Sequence, residues 1–218
     1  MTGATQTVEA AGRGDLARQV VAFNYRPLSY LHPDRLSGLL PAALEENTRR
    51  NLLACPRTKR QLSRRVLGSL GAPPCGLGLF HSAERRMVLR GPAYLRRVTL
   101  LAGAVRHGGF LRTVVTGTAL RQVIEALGAE AHAFALAHLP LSDRTAAAIP
   151  LDALRRSVER DGLACLKSWS AAQPGSLRAR LALMYAPDDW HDGAPPAALE
   201  KTGAALVAAV AGELAGDD

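Results

Sequence analysis

Leu151-Asp152-Ala153-Leu154-Arg155-Arg156-Ser157-Val158-Glu159-Arg160-Asp161-Gly162-Leu163-Ala164-Cys165-Leu166-Lys167-Ser168-Trp169 decides the fold class of this 218-residue chain. Its apolar positions Leu151, Leu154, Val158, Cys165 and Trp169 fall on one stripe at intervals of three, four or seven residues. That is the period of an α-helix with one buried face. Asp152, near its start, suits the positive end of the helix dipole.

The same period recurs on both sides. It is carried by Leu199, Gly203, Leu206, Val210 and Leu214, by Leu62, Val66, Leu67 and Leu70, and by Leu95, Val98, Ala102 and Val105. Leu120, Val123, Ile124 and Leu127 repeat it once more. Prolines such as Pro27, Pro33, Pro56, Pro92, Pro150 and Pro174 separate these stretches at helix-length intervals, as residues tolerated in a first helical turn but not in an interior should. Strand patterns are rare. Thr113-Val114-Val115-Thr116 is β-branched, but it lies between helical patterns and reads as a connector, while Gly76-Leu77-Gly78-Leu79-Phe80 is a candidate short extended piece. The expected fold is all-α: a compact multi-helix globular domain with room for two lobes.

Residues 1–14 are small and polar with no continuous apolar run, so a frayed, disordered tail is expected rather than a signal peptide. A single helical domain is expected over 15–215, with lobe boundaries near the Gly/Pro-rich 71–80 and near 140–150. The longest apolar stretches, such as Gly203 to Gly212, fall well short of the ~20 residues that cross a bilayer, so a soluble protein is expected. An apolar fraction of 48% against 21% charged residues is a globular balance, not a disordered one. Cys55, Cys75 and Cys165 form no Cys-x-x-Cys pair, and all three read as buried free thiols.

Charge is placed unevenly. Arg49 to Arg112 holds fourteen Lys and Arg against one acid, Glu84, a net +13; the whole chain carries +8, which leaves −5 on the remainder. Such asymmetry points to an acidic or polyanionic partner, or to Arg stems covering apolar neighbours on a solvated helix.

Catalytic constellations are missing. There is no Gly-x-Ser-x-Gly, no His-Glu-x-x-His, and His132 and His138 stand six apart on different helix faces. His191-Asp192 beside Asp188-Asp189 reads as a solvated turn. Gly12-Arg13-Gly14 and Gly76-Leu77-Gly78 lack the rest of a phosphate-binding loop. No enzyme activity, metal or cofactor is expected. Arg57 to Arg65 could contact phosphates along a helix, so a basic nucleic-acid-binding domain is the second reading. Phe80, Tyr94 and Phe110, the aromatics within the basic interval, are a poor set of stacking platforms for it.

Two further motifs carry a resemblance. Arg26-Pro27-Leu28-Ser29-Tyr30-Leu31-His32 has the pattern Arg-Pro, an aromatic, then Leu-His; Leu101 to Gly108 is an apolar stretch ending His107-Gly108, followed by Leu111-Arg112 and then Leu120-Arg121-Gln122-Val123-Ile124. In order and spacing, from about Phe23 to Leu183, the chain resembles the cytoplasmic K subunit of bacterial type III secretion systems, the SctK family that includes YscK and PscK. The resemblance implies an α-helical, non-enzymatic cytoplasmic adaptor, recruited to the inner-membrane face of the injectisome. It would join the Q subunit of the sorting-platform pods to the cytoplasmic domain of the inner-membrane ring D subunit, with the stator and ATPase as indirect neighbours. Arg57, Lys59, Arg60, Arg64 and Arg65, which match no motif of the family, are the candidate protein interface on the ground of their charge. Arg26, Pro27, Tyr30, His32, Gly103, His107 and Gly108 are family-motif residues with either structural or interface roles.

Overall fold

Apolar stripes punctuated by proline leave the chain little choice but helix, and a computed structural model shows twelve α-helices and no strand among the described residues. These are residues 3–142, 149–190 and 202–216, with side chains from 14 onward. His191, Asp192, Leu199 and part of the expected 140–150 loop lie outside them. In chain order the helices are α1 (Gly3–Tyr25), α2 (Pro33–Ser37), α3 (Glu46–Ala54), α4 (Pro56–Leu70), α5 (Ala83–Arg86) and α6 (Pro92–Arg106). They continue as α7 (Gly108–Leu111), α8 (Gly117–Leu127), α9 (Ala129–Ala137), α10 (Leu154–Ala171), α11 (Gly175–Ala182) and α12 (Thr202–Gly216). Pro33, Pro56 and Pro92 each open a helix, where a missing N–H costs nothing.

The chain divides into two units: Met1–Pro92 with Pro174–Asp192, and Ala93–Gln173 with Gly193–Asp218. Of the stretches expected to bound lobes, 71–80 belongs to the first unit and the described residues of 140–150 belong to the second. In the first unit, Val20 and Phe23 of α1, Leu62 and Val66 of α4, and Leu177 and Leu181 of α11 are buried. Phe80 is fully buried and meets the Phe23 ring edge-on, with centroids 5.8 Å apart. That burial is reached through a 3₁₀ turn over Leu77–Phe80, not the extended piece read from the sequence. With no strand beside it among the described residues, an extended segment would leave its backbone groups unpaired. α4 ends at Gly71 in the left-handed conformation (φ 59°), which a side chain would strain.

In the second unit the predicted stripes supply the core. Leu95, Val98, Ala102 and Val105 of α6, Leu154, Val158, Cys165 and Trp169 of α10, and Leu206, Val210 and Leu214 of α12 are all buried. Thr113–Thr116 is a connector, as its setting implied, and Val115 within it is 81% exposed. α10 starts at Leu154, so Leu151 to Ala153 form a turn before it. α1 begins at Gly3 and so runs through the stretch expected as a tail, where Ala4, Ala10 and Ala11 are strong helix formers. Cys75 and Cys165 are buried, but Cys55 is exposed, because the residue before α4 lies on the surface.

Candidate interaction site

The basic stretch folds as α4 because its apolar residues are spaced for a helix. Leu62 and Val66 turn inward, which forces the intervening cations out. Arg57, Lys59, Arg60, Arg64 and Arg65 are all exposed, and none is paired with a carboxylate among the described residues.

α4 packs on the 3₁₀ turn Pro27–Ser29 and on α1, and a groove of about 780 Å³ runs along this junction. Its cationic lining is Arg26, Lys59, Arg60 and Arg64. Tyr25, Leu28, Pro56 and Leu67 supply apolar surface, and Ser29 and Ser63 add hydroxyls. The groove therefore joins the first family motif, through Arg26, to three of the five candidate interface cations. Arg57 and Arg65 stand on other parts of the α4 surface and do not line it.

The rest of the first motif builds the wall behind Arg26. Pro27 is buried at the start of the turn. Tyr30 is buried, donates its hydroxyl to the Phe23 carbonyl at 2.7 Å and stacks on the Phe23 ring at 5.2 Å. Burial pushes its phenol well above the ordinary value, although the Arg180 charge opposes this. His32 caps α2: its Nδ1 accepts from the Asp34 backbone N–H at 3.2 Å. The His32 backbone N–H in turn donates to the Leu183 carbonyl at 2.8 Å.

The second motif lies in the other unit and is built on close approach. A Cβ on Gly103 would stand 2.0 Å from the Val158 carbonyl oxygen, and one on Gly162 would stand 1.9 Å from that of Thr99. α6 and α10 thus touch backbone to backbone. Gly108 lies against the end of α9, where an added Cβ would meet the Ala135 carbonyl at 3.1 Å. His107 is buried and its Nε2 is 2.9 Å from Asp161 Oδ2; a carboxylate accepts, so Nε2 carries the proton. Arg160 donates to the other Asp161 oxygen at 3.0 Å, and Arg106 stands 3.6 Å away. Burial raises the Asp161 carboxyl, but the hydrogen bonds from His107 and Arg160 outweigh this and hold it below the usual range.

Cys55 precedes α4. The Thr58 backbone N–H, the Thr58 hydroxyl and the Arg57 backbone N–H hold its thiol below the ordinary value, and the Arg60 charge adds to this. Burial pushes Cys165 the other way, up to about 11. Among the described residues no three His, Cys, Asp or Glu side chains are grouped to hold a metal. What this surface can do chemically is recognise: it offers fixed positive charge over an apolar floor. The reading from sequence missed Tyr25, Leu28 and Leu67, which come to the groove from two helix ends and a turn. It also missed Asp161, whose partner His107 is 54 residues earlier.

Comparison with known proteins places these features in context. The family model described as YOP proteins translocation protein K (YscK) matches residues 19–211. The nodulation protein NolU of Rhizobium fredii is 30% identical over 175 residues, covering 75% of this chain and 77% of its own. NolU of Sinorhizobium fredii matches to the same extent. No solved structure matches.

Proposed function

The chain belongs to the YscK family of type III secretion proteins, and from this premise we propose that it is a non-enzymatic adaptor of the sorting platform. In this reading it joins the Q subunit of the pods to the cytoplasmic domain of the D subunit of the inner-membrane ring. It works in the cytoplasm and is recruited to the inner-membrane face of the injectisome. No described helix is long and apolar enough to cross a membrane, which is consistent with an attached rather than a spanning component.

The observation that carries the reading, beyond family membership, is the exposed cationic face of α4 and Arg26, unanswered by carboxylates among the described residues. Like charges gathered in this way repel one another, and an acidic partner both relieves that repulsion and is drawn in faster by it. The aromatics of the basic interval do not favour nucleic acid, since Phe80 is fully buried and unable to stack on a base.

A pull-down of the purified full chain against Q and D, each at low and at physiological salt, tests the proposal. Retention of both, weaker at higher salt, is the expected result. Retention of neither at low salt would refute it.

A further inference from the structure

We infer that the groove along α4 receives an acidic, amphipathic helix presented by a partner protein. The inference rests on the adaptor reading and adds to it the chemistry of what docks and where.

Spacing is the first argument. The α4 residues that line the groove are Pro56, Lys59, Arg60, Ser63, Arg64 and Leu67, a face that returns every three or four residues over three turns. A second helix laid alongside meets such a face at intervals of its own turn, so carboxylates spaced by three or four come opposite Lys59, Arg60 and Arg64 in succession. Between the cations, Leu67, Leu28 and the 56%-exposed Tyr25 give the apolar side of that helix a floor. Charge outside and apolar surface beneath is the arrangement that an amphipathic helix complements.

Other occupants fit less well. The volume is within the range of small-molecule pockets, but seven of the ten lining residues, all four cations among them, are exposed, and a small ligand there would remain largely in water. An extended peptide could not gain the backbone hydrogen bonds of strand addition, because the described residues contain no strand. A helix satisfies its own backbone and needs only side-chain complementarity.

The test uses the full chain with Q and D as probes. Ser63, at the middle of the groove face, is replaced by p-benzoylphenylalanine, irradiated with each protein in turn, and the joined peptide is sequenced. The expected peptide has Asp or Glu and aliphatic residues each recurring at three and four. In parallel, Arg26→Glu, Arg60→Glu and Arg64→Glu together should weaken that complex by about tenfold to a hundredfold, because several exposed pairs are lost and replaced by repulsion. Reversal of Arg50, Arg86 and Arg178, exposed in the same unit but outside the groove, changes the net charge equally and should alter affinity by less than about threefold. Circular dichroism of both triple variants should match that of the parent.

A complex with unchanged affinity after groove reversal, or a crosslink into a segment without acids, overturns the groove while leaving the adaptor reading intact. Equal weakening by both triple variants also overturns it, because net charge alone would then explain binding. Displacement of the partner by a single-stranded oligonucleotide, with stronger dependence on the groove cations, assigns the surface to nucleic acid instead. If neither Q nor D binds the unaltered chain, the adaptor reading fails and the groove assignment falls with it.

Discussion

Gly103 and Gly162 face each other across the crossing of α6 and α10: a Cβ on Gly103 would lie 3.1 Å from the Gly162 nitrogen, and one on Gly162 would lie 3.2 Å from the Gly103 nitrogen. Neither helix can retreat without opening the core that Val98, Ala102, Val158 and Cys165 fill beside them. The pair therefore sets the distance between the two helices.

Gly103→Ala and Gly162→Ala should each lower the stability of the folded chain by about 2 kcal/mol or more, since the obstacle is backbone rather than a flexible side-chain tip. Gly68→Ala in the interior of α4 has open space around it and should raise stability by up to about 1 kcal/mol. Urea denaturation of the three variants checks both signs at once.

Asp161 should matter in acid. A carboxyl held below its ordinary value in the folded state contributes stability that is fully present above the unfolded value. That contribution is lost as pH falls through the lower folded value. The difference in unfolding free energy between the parent and Asp161→Asn should therefore narrow as the pH drops below about 4. A difference that widens in acid would show that the carboxyl is not stabilised by His107 and Arg160.

Asn24 forms a two-bond ring with the backbone of Cys75: its Nδ2 donates to the Cys75 carbonyl at 2.9 Å and its Oδ1 accepts from the Cys75 N–H at 2.8 Å. Both groups are buried, so Asn24→Ala should cost about 2 kcal/mol or more. Asn24→Asp keeps the acceptor but loses the donor at neutral pH. Protonation restores an O–H that can donate, so its deficit should shrink in acid while that of Asn24→Ala stays level. Chemical denaturation at pH 7 and pH 4 distinguishes them.

Cys55 should be the first thiol to react. It is exposed and held below its ordinary value, whereas Cys75 is buried and Cys165 is both buried and raised. Iodoacetamide followed by peptide mapping should label Cys55 in the native protein, with a rate that rises at lower pH than for a free thiol, and should reach Cys75 and Cys165 only after unfolding.

The helices were legible because their stripes are long: Leu95 to Val105, Leu154 to Trp169 and Leu206 to Leu214 repeat a period that no other structure satisfies. The Leu77–Phe80 turn was not, because four residues carry no period and a single buried phenylalanine fixes their shape. Of the groove, the charge on α4 could be read, but its convergence with Arg26 could not. That convergence depends on α4 packing against the turn after α1, which periodicity within either segment does not encode. The glycine crossing was half visible: Gly103 stood out in its apolar stretch, while its counterpart Gly162 is fixed by contacts 59 residues away.

The two-part composition of the first unit has a consequence for how the protein is made. His32, Arg35 and the Pro73 carbonyl are bonded to Leu183, Tyr185 and Arg180, residues that leave the ribosome about ninety positions after Pro92. At about 5–20 residues per second, that interval lasts roughly 5–20 s. For that time the nascent first unit lacks α11, whose buried Leu177 and Leu181 complete its core, so this segment finishes folding only after residues 93–173 have been made.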